Sequence, residues 1–335
     1  MSAFPIWLLI AFTLSLIITG FMVKAGLGDV PNERSSHKST TPTAGGLGII
    51  AGLAGAYFWL GLTDSAQITD GIILGLIALT GFLGWIDDSF TIPTRAKFVI
   101  FIMIASVSVW KIGPVTILPY AFSSFPLPYL IGFAGSMLWI FVVTNTVNFM
   151  DGSNGLMPFV MCVALIALAL FSWSAGSQGP AILSAVLAAG LAGLLPYNFR
   201  SRAKIFSGDV GALTIGFGYA VAVLWLCSEL KENNLVFIGP VLILPFLVDV
   251  LMTLAWRLIR GENLLTPHRS HFYQRMISKG VSHVMVAWFY GLTALILAFF
   301  TSWALGNQMH TFLSYLIMPT MVLYVIYIWV GWKLN

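Results

Sequence analysis

Charge is what this chain has least of. Of its 335 residues only 8% are Asp, Glu, Lys or Arg, against 59% hydrophobic. A soluble globular domain carries about 25% charged residues. The shortage excludes a string of soluble domains and marks an integral membrane protein. Cysteine is scarce too. Cys162 and Cys227 both stand in apolar segments, which excludes a disulfide framework and a cysteine-based metal site and leaves two small buried hydrophobes. The start, Met1-Ser2-Ala3-Phe4, lacks a basic n-region, so the first apolar run reads as an uncleaved span rather than a signal peptide. There is no internal repeat, low-complexity tract or soluble insertion, and residues 1–335 are read as a single integral membrane domain. The net charge of +4 does not imply a nucleic-acid partner, because in a bilayer protein the location of the charges matters more than their sum.

What the chain has instead is long apolar runs. A span needs about 20 mostly apolar residues, and candidates lie near 4–23, 45–62, 71–86, 98–113, 129–146, 155–173, 180–197, 210–228, 235–257, 284–304 and 313–332. The expected fold is all-α, a polytopic bundle of about eleven transmembrane helices. Of the 16 Lys and Arg, all but Lys111 and Lys231 fall in one alternate set of connections. By the positive-inside rule that side is the cytoplasm, with the N-terminus outside and the C-terminus inside. The outer connections are short or uncharged, as in the proline-rich 114–128. The chemistry is therefore expected at the cytoplasmic surface.

Polar islands interrupt the apolar runs on that side. The densest is Asn145-Thr146-Val147-Asn148-Phe149-Met150-Asp151-Gly152-Ser153-Asn154-Gly155. Residues three apart on a helix share a face, which would project Asn145, Asn148 and Asp151 together. The glycines then break the helix and allow close approach, and the helix that follows offers its N-terminus to phosphate. Asp87-Asp88 ends the third span, where two adjacent carboxylates face the negative end of the macrodipole and repel one another. Arg95 and Lys97 or a divalent cation should compensate. In Ser207-Gly208-Asp209-Val210-Gly211 an acid opens the eighth span. That is ordinarily a simple cap, yet here it faces the same surface as the other acids. Hard oxygen donors of this kind, with water and phosphate oxygens, suit Mg²⁺.

Three further islands complete the set. His37-Lys38-Ser39-Thr40-Thr41-Pro42-Thr43-Ala44-Gly45-Gly46 leads into the second span, with Thr43 as its N-cap and the glycines allowing close helix packing. Asp249 lies inside the ninth span, where an unpaired carboxylate costs about 2.5–3.5 kcal/mol. It is either functional or paired with a basic residue of a neighbouring helix. Pro267-His268-Arg269-Ser270-His271-Phe272-Tyr273-Gln274-Arg275 concentrates phosphate-binding groups: Arg forks match phosphate geometry, and His exchanges protons near neutral pH. His283 and His310 stand alone and read as structural.

In order and spacing these islands resemble the polyprenyl-phosphate N-acetylhexosamine-1-phosphate transferases. That family includes enzymes that initiate O-antigen, enterobacterial common antigen and teichoic acid, and the phospho-N-acetylmuramoyl-pentapeptide transferase. The resemblance runs from Lys38 to Arg275. It implies attack by an undecaprenyl phosphate on the β-phosphorus of a UDP-sugar, releasing UMP, at the bacterial inner membrane. Mg²⁺ would be the cofactor, with Mn²⁺ a possible substitute, and a homodimer is a possible assembly. It further implies that Asp209 is a metal ligand helped by Asn148 and that Asp87 and Asp88 are catalytic or orient the lipid phosphate. Asp151 and Asn145 would line the nucleotide pocket, and Lys38 and Arg269 would contact phosphates. His268 and His271 join the substrate-binding set, with Arg95, Lys97 and Asp249 as secondary members. Lys38-x-x-Thr41-Pro42-Thr43-x-Gly45-Gly46 looks like the peptidoglycan branch. The last loop departs from the family: His268 stands where an acid is common, and Tyr273-Gln274 replace histidines after His271. That departure points to the O-antigen-initiating side and leaves the role of His271 open. A secondary transporter of a sugar-phosphate is the reading from another class, and a lipid-diphosphate phosphatase is a nearer enzymatic one.

Overall fold

The computed structural model describes residues 5–26, 28–29, 41–63, 70–90, 92–120, 123–230, 235–264, 266, 268–306, 319–320, 322–323 and 326. Lys38, His310 and most of the candidate span 313–332 lie outside them. In a bilayer each backbone polar group must be satisfied within the protein, so an apolar run of span length folds as a helix. The described chain is α1 (Ile6–Ala25), α2 (Gly46–Leu62), α3 (Gly71–Phe90), α4 (Thr94–Ile112), α5 (Tyr129–Phe149), α6 (Leu156–Ser174), α7 (Gln178–Asn198), α8 (Gly208–Leu230), α9 (Ile238–Leu242), α10 (Leu244–Ile259), α11 (Phe272–Ser278) and α12 (His283–Gly306). Seven of these, α1, α3, α5, α6, α7, α8 and α12, are long and apolar enough to cross a membrane. The protein is an all-α polytopic membrane bundle, with apolar side chains such as Phe21, Phe58, Leu130, Leu170 and Phe299 on its outer surface.

Helix α8 is the axis. It is the most buried of the seven and packs against α3, α5, α7 and α2, while α1 lies against α2 and α7, and α12 against α6. Small residues let these helices touch backbone to backbone. A Cβ at Gly46 would come within 2.2 Å of the Gly211 amide nitrogen, so α2 and α8 meet only because both positions are glycine. Polar threads cross the bundle as well: Ser15 donates to the Gly190 carbonyl at 2.6 Å and the Trp139 indole to the Ala220 carbonyl at 3.0 Å.

Three details differ from the sequence reading. The ninth apolar run is not one helix: a short 3₁₀ turn, α9 and α10 follow one another, with Ile243 between the last two. Pro245 has no N–H to give the Val241 carbonyl and its ring crowds that position, so the helix stops and restarts. Helix α2 begins after Gly45, without a side-chain cap, so Thr43 does not cap it. Two short antiparallel pairs interrupt the helical pattern. β1 (Gly28–Asp29) pairs with β2 (Thr41–Pro42), and β3 (Ile117–Tyr120) with β4 (Ser123–Pro126) in the proline-rich connection.

Candidate active site

The ends of α2, α3, α5, α7 and α8, with the loop before α11, meet at one end of the bundle. At its opposite end Lys111 pairs with Asp70 at 3.0 Å, where α4 ends and α3 begins.

The third-span acids find separate partners. Asp87 pairs with Lys97 of α4 and accepts the Ile92 amide at 3.0 Å, fixing the α3–α4 turn. Asp88 reaches the start of α8, accepting the Asp209 amide at 3.1 Å with the Val210 amide also in hydrogen-bond contact. A carboxylate badly placed at its own helix C-terminus is thus well placed at another helix's N-terminus. Gly84 permits this, because a Cβ there would lie 2.6 Å from the Asp209 carbonyl. Arg95 is exposed.

Asp209 is tied to the Asn-rich island. Its Oδ1 accepts from the Asn148 Nδ2 at 2.9 Å, and Asp87, Asp88 and Asp209 lie within electrostatic reach of one another. Asp151 falls just beyond the end of α5, so only Asn145 and Asn148 share its helical face. Asn145 turns its amide back to the Phe141 carbonyl at 2.8 Å. Asp151 accepts from the Ser207 hydroxyl at 2.5 Å. Burial, reinforced by the charges of Asp209 and Asp88, pushes the Asp151 carboxyl well above the usual range, against the pull of Ser207.

Neutral residues shape the same region. Asn198 is buried between α7 and α8; it accepts the Gly155 amide at 2.7 Å and donates to the Ile205 carbonyl at 2.9 Å. Asn154 holds the Arg200 and Ser201 carbonyls at 3.0 and 3.2 Å, which seats the basic 200–204 connection beside the acids. Asn198 thus holds the N-cap amide of α6, and Asp88 an early amide of α8. His283, at the start of α12, meets the Ser153 hydroxyl at 2.9 Å. Ser207 and Asn198 were not singled out in the sequence. The signal for Ser207 was its place in the Ser-Gly-Asp run, whereas nothing local marked Asn198.

The last loop packs on the α5–α6 turn. The Tyr273 hydroxyl donates to the Phe149 carbonyl at 3.1 Å, the His271 ring lies 5.9 Å from that of Phe149, and the His268 and His271 rings are 4.8 Å apart. Burial and the neighbouring His271 and Arg257 push His268 down to about 4. Burial pushes the Tyr273 hydroxyl far up. Arg269 is exposed beside them. Among the described residues the basic group nearest to Asp249 is the His271 imidazole before α11, at 3.5 Å, and not a Lys or Arg of a neighbouring helix. Asp249 accepts from backbone amides and a tyrosine hydroxyl, as detailed below. Among the described residues no three His, Cys, Asp or Glu side chains converge as a metal cage.

Fold and site together define a multi-pass membrane protein with a carboxylate-rich centre assembled from helix ends. Residues 71–227 match the family described as glycosyl transferase family 4. The chain is 30% identical to a decaprenyl-phosphate N-acetylglucosaminephosphotransferase of Mycobacterium tuberculosis, over 83% of this chain and 76% of that one. It is 29% identical to a probable undecaprenyl-phosphate N-acetylglucosaminyl 1-phosphate transferase of Bacillus subtilis, over 90% and 86% of the two chains. Against the undecaprenyl-phosphate alpha-N-acetylglucosaminyl 1-phosphate transferase of Escherichia coli the identity is 28%, over 82% and 76%. The chain belongs to the polyprenyl-phosphate N-acetylhexosamine-1-phosphate transferase family.

Proposed function

We propose that this protein transfers N-acetylhexosamine 1-phosphate, N-acetylglucosamine 1-phosphate by the names of its relatives, from a UDP-sugar to undecaprenyl phosphate. The reaction initiates a surface polysaccharide such as O-antigen at the cytoplasmic face of the bacterial inner membrane. The observation that carries the reading is the meeting of Asp88, Asn148 and Asp209, from three distant stretches, at one end of the bundle. An oxygen of the lipid phosphate forms a bond to the β-phosphorus, the bond from that phosphorus to the bridging oxygen breaks, and UMP leaves with the bridging oxygen and its electron pair. The lipid phosphate has a second pKa of roughly 6; it is mostly ionised at pH 7, so it attacks directly without needing a strong base.

Positioning and charge control are then the main tasks. Asp88, gripped by the α8 amides, orients the nucleophile, while Asp87 holds Lys97 at the rim as a counter-charge. Asp151 and Asn145 line the nucleotide side, and Lys38 and Arg269 contact phosphates, with Arg95 a further cation. His268 and His271 give the loop polar contacts to the sugar-phosphate. The donor set fits Mg²⁺, with Mn²⁺ a possible substitute: crowded hard oxygens without a closed protein cage suit an ion that keeps waters and takes substrate oxygens. Asp209 and Asn148 would hold the ion, which supplies neutralisation of the diphosphate.

Purified protein in lipid, offered a panel of UDP-sugars, should release UMP only when undecaprenyl phosphate is present. Release of inorganic phosphate instead would indicate a phosphatase. The break between α9 and α10 is a feature shared with transporters; counterflow of a sugar-phosphate without UMP would support that reading.

A further inference from the structure

Asp249 is 2% exposed, in the first turns of α10, yet most of its partners come from 22 or more residues later. Oδ1 accepts the Phe272 amide at 2.8 Å, and Oδ2 accepts the Tyr273 amide at 3.1 Å and the Tyr290 hydroxyl at 2.6 Å. Thr253, one turn along α10, donates to Oδ1 at 3.3 Å. The His271 Nδ1 stands 3.5 Å from the same oxygen. One buried carboxylate thus holds the first amides of α11 and, through Tyr290, α12 behind it, and it faces the imidazole just before α11. A second buried charge on α10 holds the other end of the connection. Arg257 donates to Glu262 at 2.9 Å, to the Asn263 carbonyl at 2.8 Å and to the Thr266 hydroxyl at 3.1 Å.

The loop so fastened bears directly on the acid cluster. Tyr273 donates to the Phe149 carbonyl, and its hydroxyl lies so close to Gly152 that a Cβ there would come within 2.2 Å of it. Asp151, between Phe149 and Gly152, carries the contact to Ser207, next but one to Asp209. The path from Asp249 to the acids is an unbroken series of packed groups.

We propose that Asp249 is a positioning residue: it sets the His268–Tyr273 loop on the α5–α6 turn and acts on catalysis through His271, whose Nδ1 it faces. The inference rests on the transfer reading for its catalytic half. A membrane carboxylate normally costs free energy unless partnered, and here the partners are the groups whose placement the site requires. Replacing Asp249 by Asn keeps the shape but turns one acceptor oxygen into a donor amide, which sets it against an N–H or a hydroxyl it now serves.

The test combines kinetics with hydrogen exchange on the full chain in lipid nanodiscs. Asp249→Asn should lower kcat by about 10–100-fold, the usual effect of removing a group that orients a catalytic side chain, and should speed exchange at the Phe272 and Tyr273 amides. Tyr290→Phe, which removes one hydrogen bond and leaves the carboxylate, should move both readouts the same way by less. In a His271→Gln background Asp249→Asn should cost only about twofold, because coupled residues are non-additive. The same kcat loss in both backgrounds, or unchanged exchange at residues 272–273, would overturn the proposal. A wild-type chain that releases no UMP would end the transfer reading instead, and the exchange measurements would still judge the clasp.

Discussion

Asp88 finds its amide partners at the start of α8, although the charge of Asp209 there repels its own. The first ends a helix, where a negative charge is disfavoured, and the second begins one; the hydrogen bond from the Asp209 amide to Asp88 joins the two ends. That leaves the Asp209 carboxylate with Asn148 as its neutral partner. Asp209→Asn keeps the volume and should lower turnover on the order of 100-fold while the thermal midpoint in detergent stays near the wild type. Near-normal turnover would refute a direct role. His268 yields a prediction of a different kind. Its pKa falls from 6.5 to about 4 in the folded loop, so between those values the unfolded chain takes up a proton that the folded one refuses. Stability therefore falls as pH drops through that window. Wild type should lose more thermal stability than His268→Gln between about pH 6.5 and about pH 4; equal losses would show that His268 titrates normally. Much of this was legible in the sequence at the level of single acids: Asp151 and Asp209 stand in polar runs beside glycine, Asp87 and Asp88 are paired at a span end, and Asp249 interrupts an apolar run. Their partners were not. Nothing near Asp151 points to Ser207, and Asp249's acceptor role is fixed by amides beyond a long loop.

Helix ends, and not helix faces, carry the chemistry, so the spacing between helices decides it. α3 approaches α8 through Gly84, where an added Cβ would meet backbone atoms of Asp209 at 2.6 Å. Gly84→Ala should destabilise the protein by about 1–3 kcal/mol, the typical cost of overpacking, and should reduce turnover by shifting Asp88 away from the α8 amides. Gly75→Ala on the same helix is the control: nothing lies within 4 Å of its Cβ, and stability should stay within about 1 kcal/mol of the wild type. Melting and UMP release measured on both variants separate the two effects. The apolar runs announced nearly all these elements, since span length and composition dictate a helix. They did not announce the break at Ile243 or the β3–β4 hairpin. Pro245 was visible, but whether a proline kinks a span or ends it depends on what packs around the freed carbonyl.

At the scale of the whole molecule, the acids lie at the same bundle end as Arg95, Lys97 and the 200–204 connection, and the opposite end keeps the Lys111–Asp70 pair. The basic-residue asymmetry predicts which end faces the cytoplasm. Both native cysteines are buried, so single introduced cysteines can report topology against a low background. Arg202→Cys should react with an impermeant thiol reagent in inside-out vesicles and not in intact spheroplasts, and Gly176→Cys should do the reverse. The opposite pattern would invert the proposed orientation. The central claim is that acids from distant stretches form one centre that moves a sugar together with its phosphate. It is tested most directly by following the β-phosphorus of UDP-N-acetylglucosamine labelled there with ³²P, using the purified chain, Mg²⁺ and undecaprenyl phosphate. The account predicts that the label passes into the lipid extract while unlabelled UMP stays in water. Label remaining in water as UDP or inorganic phosphate would contradict it.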